Sequence, residues 1–141
     1  MSQSSSLRDA TVADYENVAG NHYDKYNTSN PIARWLMKGF LDAFDRLSSQ
    51  TGAEEAFEAG CGEGHLSLRL ERVGLRVRGV DLEDSAIAEA RTNAVAQGSS
   101  ARFEAADLYT LDSDHHGGEL VVSCEVLEHV PDPDRALDVL T

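Results

Sequence analysis

The sequence is poor in cysteine and in long apolar runs, and each shortage excludes a class of protein. Its two cysteines, Cys61 and Cys124, are too few for a disulfide framework. Nowhere do ~18 apolar residues follow one another, so we expect no membrane insertion. The Ser-rich start lacks the apolar segment of a secretory signal, so we expect a cytoplasmic protein with reduced thiols.

Basic residues are also scarce. The chain has 12 Lys and Arg against 25 Asp and Glu, which gives a formal net charge of −13. Nucleic-acid affinity depends largely on basic side chains that replace counterions, so we expect no nucleic-acid partner. The 141 residues, 41% of them hydrophobic, suffice for one ordinary core. We expect a flexible segment over residues 1–29 and one domain over residues 30–141.

What the sequence does contain is a glycine loop of unusual spacing, Glu58-Ala-Gly60-Cys-Gly62-Glu-Gly64. Glycine adopts positive φ and lets the backbone approach a ligand closely. A dinucleotide fingerprint has the spacing G-x-G-x-x-G, and here the third glycine comes one residue early. An acid at the start of the loop suits an amino group better than a pyrophosphate. The loop therefore favours S-adenosylmethionine over NAD, although a glycine-rich turn without a cofactor has the same letters.

Three further strand patterns also end in polar residues. The second ends at Asp81, the third covers 101–106 and the fourth covers 119–123. Parallel strands place their carboxyl ends at one edge of a sheet, where ligands of such sheets bind. Asp81 fits an acceptor for ribose hydroxyls, or alternatively a helix cap. The acids that converge at this edge are Glu58, Asp81, Asp107 and Glu125.

Helical patterns separate these strands. A first helix opens at Asn30-Pro31, with Asn as cap and Pro at the first helical position. It is amphipathic, and we expect its apolar face to pack on the sheet. Crossover helices are predicted over 66–73 and 84–97. The alternation predicts an α/β fold with a mostly parallel sheet.

Four segments in this order resemble the N-terminal part of class I S-adenosylmethionine-dependent methyltransferases. They read E-A-G-C-G-E-G-H-L, G-V-D-L-E-D-S-A-I, A-A-D-L and V-S-C-E-V-L-E-H-V-P-D-P. The resemblance implies a Rossmann-like three-layer sandwich, of which this chain carries the first four of seven strands. It implies S-adenosylmethionine as cofactor and S-adenosylhomocysteine as product. It also implies that the chain is truncated after strand four, whose free edge could pair in a homodimer.

Residue roles follow from the same resemblance. The glycines would surround the methionine moiety, Asp81 would hold the ribose, Leu82 would pack on the adenine, and Asp107 would meet its amino group. Tyr23 and Tyr26 precede the domain and either form a lid over the sulfonium, which aromatic faces attract, or cover one edge of the core. The full set expected to bind the cofactor is Glu58, Gly60, Cys61, Gly62, Gly64, Asp81, Leu82, Asp107, Leu108, Cys124 and Tyr23.

The chemistry is expected in Glu125-Val-Leu-Glu128-His129. Methyl transfer needs an aligned acceptor that loses its proton, and His129 is a candidate base because imidazole titrates near neutrality. Glu125 would orient His129 or bind the acceptor. If the segment is helical, Glu125, Glu128 and His129 share a face and could hold a divalent metal, as in the similar motif of ubiquinone-pathway O-methyltransferases. A purely structural role is the third interpretation.

Three functions are consistent with these observations. The first is methyl transfer to an oxygen of a small-molecule or lipid-like acceptor. The second is a catalytically incomplete fragment that binds S-adenosylmethionine or S-adenosylhomocysteine. The third, an NAD-dependent oxidoreductase, fits the glycine spacing and Glu58 least well.

Overall fold

The computed structural model describes Tyr26 and residues 28–141, so the predicted role of Tyr23 lies outside the described residues. A short 3-10 turn, Leu108–Thr110, follows the third strand. The helices and strands are α1 (Pro31–Gln50), β1 (Glu55–Ala59), α2 (His65–Arg72), β2 (Arg76–Asp81), α3 (Asp84–Ala96), β3 (Arg102–Ala105), β4 (Leu120–Val122) and α4 (Pro133–Leu140).

The four strands form one parallel sheet in the order β3-β2-β1-β4. This confirms the predicted α/β architecture, with β1 and β4 as neighbours. The register pairs Ala59 with Val80 and Asp81 with Ala105, so the carboxyl ends of the three neighbouring strands β1, β2 and β3 lie at one edge. Strands β3 and β4 are shorter than the sequence patterns 101–106 and 119–123 predict.

Two layers of core cover the two faces of the sheet. On one face, Ala56 of β1 and Val77 of β2 pack with Leu70 of α2. On the other, Phe57, Ala59 and Val80 are buried against residues that include Leu140 of α4. Because side chains alternate across a strand, neighbouring residues of β1 enter different layers, and this alternation decides where Glu58 points.

Helix α1 begins as predicted but packs differently. Asn30 Oδ1 accepts hydrogen bonds from the N–H groups of Ile32 and Ala33, at 2.9 and 3.4 Å. The helix is attached through its C-terminal half, where Asp45 Oδ1 lies 2.6 Å from Arg69 Nε of α2. Its N-terminal apolar residues are exposed, so the expectation that the whole face packs on the sheet is wrong: these exposed residues are Ile32, Trp35, Leu36 and Phe40.

Within the described residues, no helix is both long enough and apolar enough to cross a membrane. Strand β4 lies at the edge of the described sheet and pairs with β1. The homodimer through this edge stays a prediction.

Candidate functional site

The glycine loop joins β1 to α2 in a left-handed backbone conformation. Gly60, Gly62 and Gly64 have φ values of 77°, 51° and 81°. The N–H groups of Gly60 and Cys61 both donate to the carbonyl oxygen of Val80, at 2.8 and 2.9 Å. A Cβ on Gly60 would lie 2.2 Å from Val126 Cγ2, so the loop and the segment after β4 are in direct contact there. Only glycine fits this position.

Asp81, at the end of β2, is hydrogen-bonded to the same loop. Its Oδ2 accepts a hydrogen bond from the Gly62 N–H at 2.8 Å, and its Oδ1 accepts one from the Glu83 N–H at 3.0 Å. Charge-assisted bonds of this kind are stronger than neutral ones. Asp81 therefore fixes the positions of two turns, and each carboxylate oxygen keeps a second lone pair for a ligand.

The turn after β3 is also fixed by hydrogen bonds. Asp107 Oδ1 accepts from the Tyr109 N–H at 2.9 Å and caps the 3-10 turn. The Tyr109 hydroxyl donates to the carbonyl oxygen of Asp132 at 2.9 Å, and the Arg135 guanidinium lies 4.7 Å from the centre of the Tyr109 ring. These contacts join the end of β3 to the start of α4.

The segment after β4 is a series of turns, not the helix that the proposed metal motif requires. Glu125 has a φ of 58°, a left-handed conformation that costs a non-glycine residue roughly 1–2 kcal/mol. The His129 N–H donates to the carbonyl oxygen of Val126 at 2.9 Å. The condition for a shared face of Glu125, Glu128 and His129, a helical segment, is therefore not met. No group of three His, Cys, Asp or Glu side chains suited to a metal occurs within Tyr26 and 28–141.

These segments enclose a cavity of about 300 Å³ at the carboxyl edge of the sheet. Proteins bind small molecules and cofactors in sites of roughly 300–1,000 Å³. It is lined by Glu125 and His129, which follow β4, and by Asp81 and Asp107, at the end of β2 and after β3. The predicted residues that line the cavity are Gly60, Gly62, Asp81, Leu82, Asp107, Leu108, Glu125 and His129.

Glu58 does not line the cavity, contrary to its expected contact with the cofactor. It lies on the same face of β1 as Ala56 and is 2% exposed beneath α2, where Ser67 Oγ donates to its Oε2 at 2.5 Å. Burial raises the pKa of Glu58 to about 7, the hydrogen bonds from Ser67 oppose this shift, and the nearby Asp81 charge adds to it. The strand alternation directs Glu58 into the core layer, under the loop.

We predict that Glu58→Gln stabilises the protein above neutral pH and not below pH 4.5. Between its unfolded pKa of 4.5 and its folded pKa of about 7, the native carboxyl retains a proton that the unfolded chain has lost. The free energy of unfolding of the native sequence therefore falls with rising pH by up to ~3 kcal/mol, and glutamine escapes this loss. Denaturant unfolding curves of both proteins at pH 4 to 8 measure this difference in the free energy of unfolding.

The control for this prediction is Glu63→Gln, which removes a charge from the same loop at an exposed side chain. Parallel stability curves for Glu58→Gln and the native sequence across this pH range would contradict the prediction.

Three other predicted residues also lie outside the cavity lining: Cys61, Gly64 and Cys124. Cys61 packs in the core with Leu68 and Phe103, and burial, followed by the Glu58 charge, raises the pKa of its thiol. Neither cysteine forms a disulfide bond. A Cβ on Gly64 would lie 2.9 Å from Phe103 Cζ, so this glycine permits close packing of the loop on β3.

Sequence reasoning missed the apolar part of the cavity wall. Val126 and Val130 lie in the turns after β4, and Ala86 lies in α3. In the sequence the two valines flank Leu-Glu-His, and an apolar residue within a turn carries no signal for a cavity wall. Glu83, two residues after Asp81, also lines the cavity and had no separate signal.

Comparisons with known proteins identify a matching family and several relatives. The family described as "Methyltransferase domain" matches residues 56–140. The ubiquinone biosynthesis O-methyltransferase of Shewanella halifaxensis is 28% identical over 127 residues, which are 89% of this chain and 53% of that relative. The enzyme of the same name from Nitrosospira multiformis is 31% identical over 99 residues, 70% of this chain and 40% of the relative. The chain thus spans about half the length of the curated relatives it matches.

Solved structures show the same fold. Magnesium protoporphyrin IX methyltransferase from Synechocystis, solved with bound SAM, superposes with a TM-score of 0.63 at 23% identity, over 91% of this chain and 63% of that one. A structure from work on conversion of a disulfide bond into a thioacetal group during echinomycin biosynthesis gives a TM-score of 0.58 at 32% identity. It covers 66% of this chain and 39% of that one.

Proposed function

Since this chain belongs to the methyltransferase-domain family, we propose that it binds S-adenosylmethionine at the carboxyl edge of its sheet and transfers the methyl group to an oxygen. The acceptor is a small-molecule or lipid-like hydroxyl compound. The observation that carries the proposal is the cavity in which the glycine loop and Asp81 face the turns that hold Glu125 and His129.

The residues present fit this cofactor. The Gly62 backbone has open space where a Cβ would be, so a ligand can approach the loop closely. Asp81 offers carboxylate lone pairs suited to the two hydroxyls of a ribose, and Leu82 and Leu108 supply apolar walls for a purine. Asp107 lies at the same end and suits the exocyclic amino group. A cationic aminoacyl sulfonium also fits a cavity that several carboxylates line.

The bound cofactor supplies an electrophilic methyl group on an excellent leaving group. The chain must then align the acceptor and accept its proton. His129 lines the cavity and is the base in this proposal, because an imidazole nitrogen can accept the proton that the hydroxyl loses. Glu125 lies on the same side, where its carboxylate orients the imidazole or the acceptor hydroxyl. Its left-handed backbone is the kind of strain that functional sites retain.

An oxygen acceptor is supported by the relatives, whose names describe O-methyl transfer in ubiquinone biosynthesis. It is also supported by the chemistry of the wall, since a hydroxyl needs a base and an imidazole is present.

A second function is supported by the length of the match. The chain covers 53% of the Shewanella relative, and the acceptor-side wall within the described residues comes from one segment after β4. The chain would then bind S-adenosylmethionine or S-adenosylhomocysteine without turnover.

One pair of experiments separates these functions. Calorimetric titration with S-adenosylmethionine, S-adenosylhomocysteine and NAD should show binding of the first two and none of the third. Transfer of a labelled methyl group to a metabolite extract should then give labelled O-methyl products. Binding without transfer supports the second function, and binding of NAD alone contradicts both.

We predict that His129→Ala lowers kcat by roughly 10²- to 10⁴-fold, the usual contribution of a general base. The dissociation constant of S-adenosylmethionine should change little, because the glycine loop and Asp81 are untouched. Single-turnover kinetics with calorimetry measure both. Glu128→Ala is the matched control, since Glu128 lies in the same turns but outside the cavity lining. Equal losses in the two variants would mean that the turns, not the imidazole, matter.

A further inference from the structure

Tyr26 precedes α1 in the chain yet contacts the residue that directly follows the glycine loop. Its ring centre lies 4.4 Å from that of His65, with 34° between the ring planes. His65 is the first residue of α2 and directly follows Gly64. Tyr26 is half-buried, although it lies 30 residues before the region that matches the family, residues 56–140. The matched region therefore does not include this contact.

His65 also contacts a residue of the glycine loop. Its Nε2 lies 3.2 Å from Glu63 Oε2, and the side-chain amide of Asn93 donates to the carbonyl oxygen of Glu63 at 3.1 Å. Residues 63–65 therefore contact both Tyr26 and α3. Asp81 holds the inner part of the same loop through the N–H of Gly62.

The surroundings of Tyr26 place it at the junction of three segments. Burial raises the pKa of the Tyr26 phenol to about 12, and the charges of Glu58, Cys124 and Glu63 add to the shift. These three neighbours belong to β1, to the turns after β4 and to the glycine loop. The phenol therefore stays neutral at physiological pH.

We propose that Tyr26 is a positioning residue that holds the glycine loop in its cofactor-binding form by stacking on His65. The proposal rests on the proposed function for the ligand, and on the ring geometry for the contact. The free energy of one aromatic pair corresponds to about a severalfold change in an equilibrium constant. A loop that is already ordered loses less conformational freedom on binding, so we expect the contact to increase the affinity for the cofactor.

The first test measures the dissociation constant of S-adenosylmethionine by calorimetry, well below each variant's melting temperature. Tyr26→Ala and His65→Ala should each weaken binding roughly fivefold, and the double variant no more than either single one. Tyr26→Phe keeps the ring and should bind within about twofold of the native protein. Tyr26→Leu replaces alanine if that variant is unfolded. Trp35→Ala, an exposed aromatic on α1, is the control.

The second test needs no cofactor. Hydrogen exchange of amides 60–66 in the ligand-free protein should speed up severalfold in Tyr26→Ala and His65→Ala but not in Trp35→Ala. This separates the two proposals: a native protein that binds no S-adenosylmethionine contradicts the function, and the exchange result still decides the role of Tyr26.

Two outcomes would overturn the proposal. If Tyr26→Ala lowers only the melting temperature and leaves both affinity and loop exchange unchanged, the ring is merely part of the core. If Tyr26→Ala weakens binding while His65→Ala does not, Tyr26 acts on the ligand directly and not through His65.

Discussion

Gly60→Ala should reduce S-adenosylmethionine affinity by about 100-fold or more, the largest effect that we expect from a single methyl group in this chain. The left-handed φ of 77° costs alanine roughly 1–2 kcal/mol. In addition, the new Cβ would lie 2.2 Å from Val126 Cγ2, far inside van der Waals contact. The Val126 side chain, the loop or the turns after β4 must move to relieve this overlap, and all of them line the cavity. Calorimetric titration measures the loss.

The chain offers a matched control for the backbone part of this effect. Gly98 has a φ of 63°, and nothing lies within 4 Å of a Cβ placed on it. Gly98→Ala should therefore cost roughly 1–2 kcal/mol of stability and leave cofactor affinity unchanged. Val126→Ala should restore part of the binding when it is combined with Gly60→Ala. If Gly60→Ala binds as tightly as Gly98→Ala, the contact with Val126 has no functional weight.

Asp81→Ala should weaken S-adenosylmethionine binding by a comparable factor, on the order of 100-fold, by a different route. It leaves the N–H groups of Gly62 and Glu83 without their acceptor and removes the carboxylate that suits a ribose. Asp81→Asn should lie between alanine and the native residue, because an amide oxygen can accept one of these bonds and its NH₂ group cannot accept the other. Calorimetry of the three proteins measures the series.

A truncated ligand distinguishes the two variants. 5′-Methylthioadenosine has the nucleoside but no aminoacyl tail, so Asp81→Ala should weaken its binding as much as that of S-adenosylmethionine. Gly60→Ala should affect the truncated ligand less, because the resemblance places Gly60 beside the methionine moiety. Full retention of 5′-methylthioadenosine binding in Asp81→Ala would contradict the ribose role of Asp81.

The sequence was sufficient to predict the features that depend on local residue types or on the order of strands and helices. The cap at Asn30 and the acid at the end of β2 are local, and the alternation of strands and helices dictates a parallel sheet. The loop spacing located the edge of the sheet at which the cavity lies, because glycines at every second position predict a tight turn with positive φ.

Other features depend on contacts that a sequence pattern does not contain. Glu58 reads as part of the loop, but the two-residue period of β1 directs it under α2. The periodicity of α1 shows an apolar face without showing what covers it, and the face near Trp35 is exposed. The segment from Glu125 to His129 has helical spacing, yet the left-handed Glu125 and the approaching Pro131 favour turns.

The strand order has a consequence for how the cavity assembles and opens. Glu55 of β1 and Arg76 of β2 are 21 positions apart, whereas Glu54 and Glu119, which join β1 to β4, are 65 apart. Closing the longer loop costs roughly 1 kcal/mol more of chain entropy, and three-residue β4 has few bonds with which to offset it. We expect β4 to dock last during folding and to detach first in local opening. The part of the cavity that contains Asp81 and Asp107, which we propose to bind the nucleoside, would then form before the turns that carry His129.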